Sequence, residues 1–319
     1  VDKPRQQLPQ ISRRQVMATV AAGVLAARCA GAEQAPADRP SPLCLFSKCL
    51  ASRKWDRLPG RLAELGFSHV DLTVRPGGHV APERVADELP RAQEALRQAG
   101  VRIAMITTEI TSVDQPHTQA IVQTAARLGI GFLKLGYYRY ASDASVHRTW
   151  AEARARLREL VPLLESHKVH AGFHNHSGMN VGSLLWDEWE LLRDLDPRWI
   201  GSYFDPCHAA IEGAGNGWQI GLNLLASRVT MLAVKDFVWQ RRGREWRPQF
   251  GPLAEGSVRW PDVLATLRKA GFAGPISLHI EYGPRGEPGS QEDRLQAALI
   301  RKDLAFLREA LAEAGIPTR

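Results

Sequence analysis

From Pro42 onward the sequence alternates eight times between a short apolar run and a longer, mostly amphipathic stretch. This repetition constrains the fold more than any other feature. A short apolar run reads as a buried strand, and the amphipathic stretch behind it as a helix that covers it. The runs are Leu43–Leu45, His69–Leu72, Val101–Ile106, Phe132–Leu135, Val169–His174, Ile200–Phe204, Val229–Val234 and Ile276–Ile280. Each is too short for a typical helix and is bounded by Gly, Pro or polar residues. Between them, Glu83–Gln98 places Val85, Leu89, Ala92 and Leu96 three to four apart, and Trp150–Ser166 and Gln291–Ala314 are long, charged and amphipathic. Gly100, Gly271 and Gly315 stand where helix C-caps are expected. Eight β-then-α units predict a single-domain α/β fold, the (β/α)8 or TIM barrel. A doubly wound open sheet is the alternative, but it would carry a glycine-rich phosphate fingerprint after the first strand, where Ser47-Lys48 stands instead.

Composition narrows the partners. With 44% hydrophobic and 24% charged residues in 319, wholesale disorder, collagen and a polytopic membrane protein are excluded. Of the net charge of +7, the first forty residues supply +3 through six basic and three acidic groups, leaving +4 for the rest. That remainder has no basic run or basic-aromatic stripe, so nucleic acid is not an expected partner. Four cysteines make no disulfide scaffold, and Cys44 and Cys49, five apart at one strand, should diverge.

The N-terminal segment reads as an address. Ser12-Arg13-Arg14-Gln15-Val16-Met17 precedes an apolar stretch from Val16 to Ala27, and Ala30-Gly31-Ala32 follows as a small-x-small exit. That order describes an export signal, and the paired arginines make it resemble a twin-arginine signal, with Val16-Met17 in place of the usual Phe-Leu. The apolar core is shorter than the about 20 residues a membrane-spanning helix needs. The expected organisation is a signal peptide over 1–32, a Pro/Ala-rich spacer over 33–41 and the barrel over 42–319. The mature protein is expected in the periplasm without a stable membrane anchor, and the sequence is compatible with a homo-oligomer.

In a (β/α)8 barrel the chemistry sits at the C-terminal ends of the strands. Those ends carry Ser47-Lys48, Asp71 with Arg75 and His79, Thr107-Thr108-Glu109, Tyr137-Tyr138, His174-Asn175-His176, Asp205 with His208, Lys235-Asp236, and His279 with Glu281. Strand alternation sorts them further. Ile276, Leu278 and Ile280 form an outward apolar face, so Ser277, His279 and Glu281 face the axis. By the same parity His174 and His176 align with Gly172, Asp205 with Tyr203, and Lys235 with Ala233 and Met231. His174, Asp205, Lys235 and Glu281 should therefore converge at one mouth.

The motifs Gly172-Phe173-His174-Asn175-His176-Ser177-Gly178, Phe204-Asp205-Pro206-Cys207-His208, Val234-Lys235-Asp236-Phe237 and Leu278-His279-Ile280-Glu281-Tyr282, in this order, resemble the sugar phosphate isomerase/epimerase family with its xylose-isomerase-like barrel. Asp71-Leu72-Thr73-Val74-Arg75-Pro76-Gly77-Gly78-His79 is similar to one branch of it. The resemblance implies a divalent metal (Mn, Mg, Zn or Fe) held by Glu, Asp, His and Glu on strands five to eight. Asp205 and Glu281 match two of these positions, His174 replaces the first Glu, and Ala233 stands where the usual His would be. The implied metal ligands are His174, Asp205 and Glu281. Glu281 is the candidate base, Lys235 the cation at the substrate oxygen, and His208 or His176 the acid or orienting group. Arg75, His79, Asn175, His176 and Trp239 are candidate contacts to a sugar substrate. The implied reaction is proton abstraction beside a carbonyl, as in isomerisation or epimerisation. A lyase acting on oxidised glycosides and a non-catalytic carbohydrate-binding barrel, favoured by Ala233, are the alternatives.

Overall fold

A computed structural model describes residues 39–141 and 145–319. The export signal expected over 1–32 and residues 33–38 of the spacer lie outside them. The eight apolar runs form eight parallel strands closed into a barrel. These are β1 (Leu43–Phe46), β2 (His69–Thr73), β3 (Arg102–Thr107), β4 (Phe132–Lys134), β5 (His170–His174), β6 (Ile200–Phe204), β7 (Val229–Val234) and, last around the ring, β10 (Ile276–Leu278). The barrel closes where β10 pairs with both β7 and β1, Leu278 lying opposite Val234 and Leu45.

The helices that cover the barrel are α1 (Leu58–Glu64), α2 (Val85–Gln98), α3 (Thr118–Arg127), α4 (Val146–His167), α5 (Leu185–Leu192), α6 (Pro206–Glu212), α7 (Gly217–Leu225), α8 (Trp260–Lys269) and α9 (Gln291–Glu313). In α2 the buried residues are Val85, Leu89, Ala92 and Leu96, the spacing read from the sequence. Gly100, Gly271 and Gly315 close three helices at φ +74°, +78° and +68°, a region that costs glycine nothing. No described helix is long and apolar enough to cross a membrane.

Two cores result. The larger lies between strands and helices. The smaller fills the barrel axis with Cys44, Met105, Tyr203, Met231 and Ala233, the inward parity expected for β6 and β7. Gly172 is glycine for a packing reason: a Cβ there would sit 1.9 Å from Met231 Cε. Cys44, Cys49 and Cys207 are buried free thiols.

One element departs from expectation. The segment after β7, where the sequence announced no strand, is an antiparallel hairpin of β8 (Asp236–Arg242) and β9 (Glu245–Gly251). Its connection is Gly243-Arg244 with Gly243 at φ +64°, a two-residue turn that needs glycine first. Most of its residues are exposed on both faces, so the apolar alternation that announces a strand is missing. Asp236 anchors it, its carboxylate accepting from Val258 N, Phe237 N and Trp260 Nε1.

Candidate active site at the barrel mouth

The strands bring Lys48, Arg75, Lys134, His174, Lys235 and Glu281 to the wall of one cavity of about 130 Å³ at the C-terminal mouth, with Phe46, Thr107, Tyr137, His176, Tyr203 and His279. Its centre is an ionic knot. Lys235 Nζ lies 2.7 Å from His208 Nε2, 3.3 Å from Asp205 Oδ2 and 3.7 Å from Glu281 Oε2. Lys48 Nζ closes the far side, 3.2 Å from Glu281 Oε1.

Asp205 is held rigidly because it ends β6 and N-caps α6. Its Oδ1 accepts from His208 N, and its backbone N–H and C=O both bond the Asn175 amide. Burial works against its charge, but the Lys235 ammonium beside it keeps the carboxyl well below its ordinary range. Burial likewise opposes ionisation of Glu281, yet the ammonium groups of Lys235 and Lys48 bring it down to about 2. Lys235 is buried, and the Asp205 and Glu281 charges more than offset that, raising its pKa.

The histidines are neutral, because burial lowers each of them, His174 to about 4 and His208 well below its ordinary value. Their bonds fix the tautomers. His208 Nε2 accepts from the Lys235 ammonium, so Nδ1–H donates to Ser177 Oγ at 2.8 Å. His174 Nδ1 accepts from Tyr137 OH at 2.9 Å while Nε2–H faces Asp205 Oδ2 at 3.3 Å. His176 Nδ1–H donates to its neighbour's carbonyl at 2.9 Å, leaving the Nε2 lone pair for the cavity. Below the cavity, buried Asp71 accepts from Thr107 Oγ1, Ser277 Oγ and Tyr203 OH, and burial pushes it up to about 6.

Of the residues singled out in the sequence, Glu281, Lys235, Arg75, His174 and His176 line the cavity. Four others are not among the lining residues. His208 lies beneath Lys235, 1% exposed, with both ring nitrogens engaged by Lys235 and Ser177. Asn175 is spent on the Asp205 backbone. His79 turns away, its ring bonded to Thr73 Oγ1 and the Leu50 carbonyl. Trp239 stands on the hairpin, 43% exposed and packed on Phe237. Lys134 was missed, although a lone lysine inside Phe132–Leu135, at the inward parity, was a signal. Lys48, Tyr137 and Thr107 stood among the strand-end residues without an assigned role.

The expected ligands, His174, Asp205 and Glu281, do not fit a divalent ion in this arrangement. The His174 lone pair accepts from Tyr137, and the His208 lone pair accepts from Lys235. Ala233 has no donor atom. An ion about 2 Å from both Asp205 Oδ2 and Glu281 Oε2 would need the place that the ammonium holds.

Fold and site thus define a (β/α)8 barrel with a buried, charge-lined cavity at its catalytic end. The chain belongs to the xylose isomerase-like TIM barrel family, whose profile matches residues 59–310. No curated protein matches the sequence. Among solved structures it is similar to a xylose isomerase domain protein from Planctomyces limnophilus, at 18% identity and TM-score 0.61 over 86% of this chain and 97% of that one. A D-psicose 3-epimerase solved in the presence of D-fructose is 13% identical, with TM-score 0.64 over 85% and 99% of the two chains. A xylose isomerase-like TIM barrel protein from Mycobacterium smegmatis, in complex with magnesium, is 14% identical, with TM-score 0.63 over 87% and 98%.

Proposed function

We propose that the chain is a sugar isomerase that moves a proton between neighbouring carbons through an enediolate held by Lys235. The observation that carries this reading is the juxtaposition of Lys235 and Glu281 in the cavity wall. Carbon beside a carbonyl releases its proton only if charge developing on the oxygen is stabilised, and a preorganised cation in a dry site does that. Lys235 has three N–H donors. Two are directed to His208 and Asp205, and the third faces Glu281 across 3.7 Å, too far for a hydrogen bond and free for a substrate oxygen.

Glu281 is ionised at neutral pH, so it accepts a proton without first losing one. Lys48 holds Oε1 and leaves Oε2 for the substrate. As the proton moves to Oε2, negative charge passes to the oxygen on Lys235, and the cluster's net charge is unchanged. The hydroxyl proton of the enediolate passes to the neighbouring oxygen beside Lys235, and Glu281 returns the abstracted proton to the neighbouring carbon, so that one carbonyl is lost as the other forms. Among the described residues it is the one carboxylate lining the cavity, which favours single-base isomerisation over epimerisation, where acid–base groups are needed on both faces of the carbon. The epimerase neighbour supports the reaction class, and so does membership of the family.

The test is proton exchange. Aldoses, ketoses and their uronic acids are incubated with the protein in D2O and followed by NMR. Deuterium at the carbon beside the carbonyl, with aldose–ketose interconversion, is the expected result. Inversion without interconversion would make the protein an epimerase, and no exchange in any member of the panel would remove the reading.

A further inference from the structure

Four cations line the cavity, and only two are matched. Lys235 and Lys48 face Asp205 and Glu281. Lys134 Nζ is buried, in a residue 2% exposed, and has no hydrogen-bond partner. Its contact is the Tyr137 ring, 3.6 Å to the centroid. Arg75 lies over the Phe46 ring at 5.7 Å and has no ion pair among the described residues. Burial draws the Lys134 ammonium down to about 7, and Arg75 is the charge that lowers it most; Glu109 and Asp71 favour it from a distance, but neither hydrogen-bonds Nζ. An aromatic face supports a cation only in part, and a buried charge is ordinarily paired. The second wall of the cavity therefore has donors for an anion that the chain itself does not supply.

We propose that Arg75 and Lys134 form a carboxylate-binding subsite, and that the substrate is a sugar acid of the uronate class. This rests on the isomerase reading for the reaction but not for the binding. The guanidinium offers the planar fork that matches a carboxylate, with Lys134 as a second point charge beside it. Phosphate sites commonly use backbone N–H groups at a helix N-terminus or a glycine turn. Among the described residues no glycine and no α-helical residue lines this cavity; its helical contact is the short 3-10 turn Ser47–Leu50, whose Lys48 and preceding Phe46 stand on the wall. The anion takes a carbon skeleton across to Lys235 and Glu281 on the opposite wall, so one end is held by charge while the other reacts.

The test is calorimetric titration of the full chain with D-glucuronate, D-galacturonate, D-glucose and glucose 6-phosphate. At least one uronate should bind about tenfold or more tightly than D-glucose, the scale of a charged hydrogen bond. Lys134→Met and Arg75→Met should each collapse that preference toward unity, thermal unfolding reporting that each variant folds. Equal affinity for acid and neutral sugar, absence of binding by all four at millimolar concentration, or a preference that survives both substitutions would overturn the subsite. Tighter binding of glucose 6-phosphate than of either uronate would overturn the assignment to carboxylate. Uronate preference without C–H exchange would sink the isomerase reading alone, whereas exchange on neutral sugars without that preference would sink the subsite alone.

Discussion

Replacing Lys235 by Met separates the roles of charge and packing at the centre of the site. The ammonium stands 3.3 Å from Asp205 and 3.7 Å from Glu281. At an effective dielectric near 20 those distances correspond to gross attractions of about 5 and about 4.5 kcal/mol, before the desolvation of the three groups is subtracted. Methionine keeps the stem volume and removes the charge, so Asp205, fully buried, is left uncompensated. Breaking a buried pair from one side costs about 3–5 kcal/mol, which for a domain of this size lowers Tm by roughly 10 °C. The pH dependence gives the sign. In the native protein the Asp205 carboxyl is depressed, so its contribution is present above the unfolded pKa and lost as pH falls. Without Lys235 the largest opposing charge is gone and burial moves the carboxyl upward from its native position, the bonds from His208 N and His174 remaining, so the variant gains less stability than the native protein as pH rises. The Tm gap between the two proteins should therefore be widest at neutral pH and narrow toward pH about 4. Adding Asp205→Asn should restore most of the Tm without restoring activity. Deuterium wash-in should fall by about 10²–10³, the scale of a lost oxyanion donor. Unchanged wash-in for a folded Lys235→Met protein would refute the assignment of Lys235 to the substrate oxygen. A Tm gap independent of pH would refute the assignment of the instability to Asp205.

Chelation by EDTA should leave wash-in unchanged, and exchange-competent protein should hold less than one equivalent of metal; loss of activity restored by Mn2+ would show that the donors rearrange around an ion. Lys48→Met removes the partner of Glu281 Oε1, so the acid limb of the rate profile should move upward from about 2 by about one pH unit, a partly exposed lysine being screened. A limb that stays in place would remove Glu281 as the base. Glu188, fully buried on α5 and without a hydrogen-bond partner, is raised by burial to about 8. Its contribution is therefore full below the unfolded pKa and lost as pH rises through 8, and Glu188→Gln should stabilise the protein by about 2–4 kcal/mol at pH 8 and by little at pH 4, read from urea unfolding. Replacing Arg13 and Arg14 by lysine should block export, and an unchanged periplasmic yield would remove the twin-arginine reading.

The barrel was legible because each strand carries its own apolar run and each helix its own stripe and stop signal. These are local signals that the closed sheet does not override. The hairpin was not, since Asp236–Arg242 and Glu245–Gly251 bury neither face and so leave no alternation; only Gly243 before Arg244 marked the turn. Parity put His174, Lys235 and Glu281 on the cavity wall, because inward and outward positions differ by one residue along a strand. It says nothing of residues on the loops beyond. Arg75 and His79 lie four apart in one loop and part company, because the His79 ring and backbone N–H are both drawn to Thr73 Oγ1. His208 is carried by α6, whose first turn places it under Lys235 rather than in the cavity.

Which residue does what was harder to read than which residues meet, because the roles depend on lone pairs and charge balance. His174 stands at a ligand position of the family pattern, yet Tyr137 takes its acceptor nitrogen. Asp205 and Glu281 carry two negative charges into a buried site, and two positive charges must answer them. A divalent ion would supply both at one point; here Lys235 and Lys48 supply them at two, on either side of Glu281. The difference matters chemically. An ion would bind Glu281 as a ligand and present open coordination positions, whereas two ammonium groups present directed N–H donors and leave one carboxylate oxygen able to move a proton. Under the proposed reaction, the smaller local charge at the reacting oxygen would leave more of the holding of substrate to the opposite wall, where Arg75 and Lys134 rest on aromatic rings and make no ion pair among the described residues.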